Sequence, residues 1–205
     1  MKKITDVKRQ KDKKRVNLFV DGAFYSGVEE IVLLSNNLHI GDEVDEKKLA
    51  EIIEESEYTS CFQKASNYIL KGNHTVKQVC GYLKDKGYDG RIIAKVAYKL
   101  CGYGYLDDAA YAKNYVELKC GSKGKRLLEL ELKQKGVSEE NVQNALSDIA
   151  DEDENAYKVA KKYLRRKPFT DTTKQKCFRY VVSKGFSYDS AKNALEKIER
   201  ETIES

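Results

Sequence analysis

The stretch LKDKGYDGRIIAKVAYKL (Leu83–Leu100) returns twice further along the chain, as LKQKGVSEENVQNALSDI (Leu132–Ile149) and VSKGFSYDSAKNALEKI (Val182–Ile198). Their Lys-Gly pairs end at Gly87, Gly136 and Gly185, each 49 residues after the one before. A fixed period of this size is the mark of a repeat array, and it restricts the fold more than any other feature.

Aligned on the glycine, each position has a physical reason. Leu83, Leu132 and Val181 stand four residues before it, and Tyr88, Val137 and Phe186 one residue after. These are the two positions of the hydrophobic contact that closes a helix ending in a left-handed glycine. Asp89, Ser138 and Ser187 follow, all good N-caps. An apolar stripe with helical spacing comes next: Ile93, Val96, Ala97, Leu100; then Val142, Ala145, Leu146, Ile149; then Ala191, Ala194, Leu195, Ile198. A further helix precedes each corner, over Thr59–Leu70, Asp108–Lys119 and Asn155–Arg166, with Asp107 and the acidic run Asp151–Glu154 capping the second and third. Each unit therefore reads as three short helices, too small to fold alone, so that neighbours stack. The expected fold is all-α: three tandem three-helix repeats (58–101, 102–150 and 151–205) in an elongated, curved array.

Residues 1–57 differ. Val16, Leu18 and Val20 alternate up to Asp21-Gly22, a strong hairpin signal, and helical patterns follow at 28–34 and 45–55. A small β-hairpin-plus-helix extension is expected, with the basic residues 1–12 as a disordered tail.

Charge divides the same way. Residues 1–15 carry eight Lys/Arg against two Asp, residues 16–57 two against eleven, and the repeats 28 against 20. A basic array points to a polyanion or an acidic protein surface as partner. No apolar run approaches the ~20 residues of a membrane span. The five cysteines are scattered and form no Cys-x-x-Cys pair, which suits small buried thiols in a reducing cytoplasm.

Catalytic patterns are missing. The two histidines, His39 and His74, lie far from acid–base partners in sequence. GSKGKR (121–126) lacks the spacing of a phosphate loop, and GYGY (102–105) lacks the third glycine of a dinucleotide fingerprint. Asp107-Asp108 reads as helix capping rather than metal ligation. No enzyme, metal or cofactor is expected.

One cluster stands out. Lys158, Lys161, Lys162, Arg165 and Arg166 fall at helical spacing on one face, opposite Ala156, Val159, Ala160 and Tyr163, and no acid interrupts 155–167. A solvated charged face is the ordinary explanation of such a run. Five uncompensated bases repel one another, however, and favour a binding surface. Lys119, Lys123, Lys125 and Arg126 form a second cluster beside glycines.

The tandem Lys-Gly corners, together with YGYLDDAAYAKNYV (103–116), KGKRLLELELKQKGV (123–137) and RYVVSKGFSYDSAKNAL (179–195), resemble the RecX regulatory protein family. The likeness spans 58–200, and 16–57 is similar to the extension of members from Gram-positive bacteria. The resemblance implies a helical, non-enzymatic regulator of DNA recombination, repair and the SOS response. Such a protein binds the RecA recombinase and its filament on single-stranded DNA, commonly inhibiting ATP hydrolysis and strand exchange, as a cytoplasmic monomer. The two basic clusters, rather than the resemblance, supply the expected partner or nucleic-acid contacts: Lys123, Lys125, Arg126, Lys158, Lys161, Lys162, Arg165 and Arg166. The family's Arg-x-Arg-Ser segment is replaced here by Lys71-Gly72-Asn73-His74-Thr75, so its arginine contacts do not carry over. The alternative is a generic helical nucleic-acid-binding module without a recombinase partner.

Overall fold

The computed structural model describes residues 1–11 and 14–203. The chain divides into two compact units: 1–74 with 78–106, and 75–77 with Asp107 onwards.

The first unit opens with an antiparallel sheet of order β3-β2-β1-β4, formed by β1 (Lys2–Arg9), β2 (Arg15–Val20), β3 (Ala23–Glu29) and β4 (Glu43–Val44). The expected hairpin is β2–β3, with Asp21 and Gly22 both at positive φ, as its tight turn requires. The basic N-terminus differs from the expected disordered tail: it forms β1 and pairs with β2 from Ile4↔Val20 to Arg9↔Val16. Its charge conceals its amphipathicity. Ile4 is 1% exposed in the core, while the Lys8 ammonium lies 5.0 Å from the Phe19 ring centroid. Residue 12, the last of that expected tail, and residue 13 lie outside the described residues.

After α1 (Glu30–Ser35), the patterns expected at 45–55 and 59–70 merge into one 24-residue helix, α2 (Glu46–Ile69), capped by Asp45. No glycine or proline stands between 46 and 69 to stop it. Its first half packs Leu49 and Ile52 into the core of the sheet with Val16, Leu18, Val28 and Val32. Its second half buries Cys61 and Ala65. The extension and the first repeat therefore share a helix across the expected border at 57/58.

The remaining helices follow the repeat. The first unit holds α4 (Gly90–Gly102) and most of α3 (Val76–Asp85). The second holds α5 (Asp108–Lys119), α6 (Lys125–Gln134), α7 (Glu139–Ser147), α8 (Glu152–Leu164), α9 (Asp171–Ser183) and α10 (Tyr188–Ile203). Gly87, Gly136 and Gly185 follow α3, α6 and α9 with φ of 85°, 88° and 89°. The N–H groups of Tyr88 and Val137 close back on the carbonyls of Leu83 and Leu132, as a left-handed helix stop requires. Asp89, Ser138 and Ser187 cap the helices that follow. The expected apolar stripes are buried throughout, except that Leu195 is only partly so. Of the cysteines, Cys61 and Cys177 are buried, with thiol pKa values raised to about 11 by burial. Cys80 and Cys120 are half-buried and Cys101 is exposed, so burial does not account for all five.

Candidate functional site

Within the second unit, a joint is built twice, 49 residues apart. The Thr75 hydroxyl donates to the Lys135 carbonyl at 2.7 Å, and the Gly124 N–H donates to the Lys184 carbonyl at 2.9 Å. One residue on, the Val76 N–H donates to the Asp108 carboxylate (2.9 Å) and the Lys125 N–H to the Glu152 carboxylate (3.0 Å). The start of each middle helix thus meets the following Lys-Gly corner and is capped by an acid from the following repeat. This satisfies N–H groups that helices leave without partners and suits the positive end of the helix dipole. Asp107 caps its own helix through Ala109 and Ala110, whereas its neighbour Asp108 acts across the joint.

At the Gly124 joint the backbones nearly touch. A Cβ on Gly124 would lie 2.2 Å from the Phe186 nitrogen. This close approach brings loop 121–124 beside α8 and the Lys184 corner and leaves an open cleft of about 640 Å³. Six cationic side chains line it: Lys123, Lys158, Lys162, Arg165, Lys167 and Lys184. Tyr163 and Tyr180 form part of its wall, with ring centroids 4.7 Å apart. Lys167 lies 3.4 Å from the Tyr163 centroid, and Lys184 5.2 Å from that of Tyr180. The tyrosine pair therefore offers an approaching ligand ammonium groups rather than a bare ring face.

The five-residue stripe expected on α8 does not hold. The helix ends at Leu164, Arg165 has an extended ψ of 124° and Arg166 a φ of 65°. Pro168 follows two residues later and disfavours helix at Lys167. Tyr157 and Leu164 take buried positions beside Ala156 and Ala160, while Val159 and Tyr163 are only partly buried. The break turns Arg165 and Lys167 into the same cleft as Lys158 and Lys162.

The structure sorts the expected contacts. Lys123, Lys158, Lys162 and Arg165 line the cleft; Lys125, Arg126, Lys161 and Arg166 do not. Lys161 is paired with Glu201 at 3.0 Å and bonded to the Tyr157 hydroxyl. Lys158 has a looser partner, Glu154 at 3.8 Å. Lys123 is paired with Glu131, whose second oxygen accepts from the Tyr115 hydroxyl at 2.8 Å. Burial pushes the Glu131 carboxyl up, but the Lys123 and Tyr115 hydrogen bonds outweigh it and hold the group below its usual value, so it is ionised at neutral pH. Tyr115 is pushed up to about 12, by burial first and then by Glu131, and stays a neutral donor. Lys162, Arg165, Lys167 and Lys184 have no acidic partner among the described residues. Sequence reasoning missed Lys167 and Lys184. Lys184 reads only as part of a Lys-Gly corner, and Lys167 only as the end of the acid-free run 155–167.

Chemically the cleft can hold anionic oxygens through several ammonium groups and one guanidinium. No group of three or more potential metal ligands occurs among the described residues.

Three family models match the sequence: Regulatory protein RecX N-terminal domain over residues 2–45, RecX second three-helix domain over 107–146 and RecX third three-helix domain over 151–195. The regulatory protein RecX of Clostridium tetani is 34% identical over 203 residues, covering 96% of this chain and 94% of the relative. The chain belongs to the RecX family. The Bacillus licheniformis RecX is 36% identical over 205 residues, spanning 97% of this chain and 78% of its own. A crystal structure of regulatory protein RecX superposes with a TM-score of 0.70 at 29% identity, covering 94% of this chain and 98% of that one. RecX from Lactobacillus salivarius shares the fold over 70% of this chain and 97% of its own, with a TM-score of 0.63 at 23% identity. The family is one of regulatory proteins.

Proposed function

We propose that this RecX-family chain binds the RecA recombinase and its filament on single-stranded DNA, and inhibits ATP hydrolysis and strand exchange in DNA recombination, repair and the SOS response. The observation that carries this reading is the cleft, where four of six cations lack an acidic partner. Such a surface suits a nucleoprotein filament, which presents DNA phosphates and acidic side chains together. In the same reading the repeats are 58–101, 102–150 and 151–205, with α2 shared between the first of them and the N-terminal sheet. The protein acts as a cytoplasmic monomer; no helix among the described residues is long and apolar enough to cross a membrane.

The test is the ATPase activity of recombinase filaments on single-stranded DNA, titrated with wild type and with the double reversal Lys162→Glu/Arg165→Glu. Both side chains are exposed, so the circular-dichroism melt is expected to stay unchanged while the half-inhibiting concentration rises about tenfold or more. Unchanged inhibition would refute the cleft as the contact surface. Equal affinity for bare DNA and for filament would favour the alternative, a helical nucleic-acid-binding module without a recombinase partner.

A further inference from the structure

The three repeats build the same layer with one difference. In the first repeat Tyr68 stacks on Tyr82 at 4.2 Å, with Lys86 of the corner 5.5 Å from the Tyr82 centroid. In the third, Tyr163, Tyr180 and Lys184 repeat the arrangement. Tyr82 and Tyr180 both stand five residues before the corner glycine. In the second repeat that position is Glu131. Tyr115 keeps the place of Tyr68 and Tyr163, and Lys135 lies 5.4 Å from its ring. A tyrosine would fill the position, as it does twice elsewhere; the glutamate adds a negative charge and an acceptor for Lys123.

Lys123 lines the cleft with five other cations, and its side chain and that of Glu131 are 25% and 23% exposed. Without a counterion, six cations around one cleft would repel one another. Glu131 neutralises one of them, and the Tyr115 hydroxyl fixes its direction. An incoming anion must draw Lys123 from this partner or bind to the other five.

We propose that Glu131 is a built-in competitor for phosphate: it holds Lys123 and withholds it from a phosphodiester strand entering the cleft, so that it sets the strength and salt dependence of strand binding. This rests on the reading of the cleft as the contact surface and names the chemistry it takes, the backbone phosphates of a single strand. Sequence-blind recognition follows, because the tyrosine pair presents lysines in place of an open ring face for a base.

The experiment measures binding of a fluorescein-labelled oligothymidylate by anisotropy across a salt series, using the full chain. Glu131→Gln is expected to bind about fivefold tighter at fixed salt, the equilibrium equivalent of one partly shielded ion pair. Its slope of log affinity against log salt should steepen by about 0.7, the value for one more neutralised phosphate on a single strand. Lys123→Gln added to Glu131→Gln should return the slope to the wild-type value. If Glu131→Gln folds poorly, Glu131→Tyr restores the residue type of the other two repeats and should show the same steepening. A purely structural Glu131 would change the melting temperature and leave the slope alone, and that result overturns the inference. Filament ATPase inhibition is read on the same proteins. Inhibition by a wild type that fails to bind oligothymidylate sinks the phosphate assignment and spares the proposed function. Loss of both sinks both.

Discussion

Glycine serves two purposes in the second unit, positive φ and close approach, and Gly185 serves both, since a Cβ there would lie 2.5 Å from the Leu127 nitrogen. Gly136 and Gly185 supply positive φ after a helix, where an L residue is strained. Gly124 has an ordinary φ of −78° and is needed for space, since its missing side chain lets the loop reach the backbone of Gly185 and Phe186. The rigid neighbour leaves an added methyl nowhere to go. Gly124→Ala should cost about 1–3 kcal/mol, as overpacking does. Gly121→Ala, with nothing within 4 Å, should be nearly neutral. Urea denaturation of both variants decides it, and equal midpoints would remove the steric argument. Gly124→Ala should also weaken strand binding, because the joint it forces apart positions Lys123 beside Lys184.

The helix is the scale at which the sequence was most legible. Corner glycines, N-caps and the apolar stripes all act within a few residues of one another, so their spacing carried the helix order without tertiary information. Asp108 shows where that legibility stops. As the neighbour of a capping aspartate it reads as local, yet its carboxylate caps the first turn of α3, 32 residues away. Asp108→Ala should therefore destabilise by about 1 kcal/mol, the usual loss for a cap, although the N-cap of its own helix, Asp107, is intact. Denaturant melts of Asp108→Ala and Asp108→Asn check this, with asparagine expected to retain part of the effect. The other departures share this cause. β1 draws its order from pairing with β2, which outweighs the charge of Lys2–Arg9. The end of α8 is set by Pro168 and the corner it must reach, while the 3.6-residue pattern runs on. The cleft brings together residues from 121 to 184, so the helical and loop patterns point to Lys123, Lys158, Lys162 and Arg165 among its cations and pass over Lys167 and Lys184.

For the molecule as a whole, the joint between repeats also specifies where the series stops. α3 and α6 each begin eleven residues before their glycine, at Val76 and Lys125, and each start docks against a following corner. α9 begins fourteen residues before Gly185, at Asp171, an added turn capped by the Thr170 hydroxyl. The position equivalent to Thr75 and Gly124 is Thr173, now inside that turn, with its N–H donating to Thr170. Its neighbour Lys174 is held by Glu199. The third repeat therefore closes its own docking edge, whereas the first corner, at Gly87, has nothing within 4 Å of where a Cβ would be. Head-to-tail growth through a heterologous joint needs an open edge of each kind on every copy. Among the described residues only the corner kind is open, and a polar outer face on the terminal repeat is how repeat arrays avoid open-ended association. Sedimentation velocity over about a hundredfold range of concentration should accordingly give one monomeric species, consistent with binding to a filament as single copies. A mass that grows with concentration in the wild type, and reverts when Gly87 is changed to a bulky residue, would show that copies do join through the open corner.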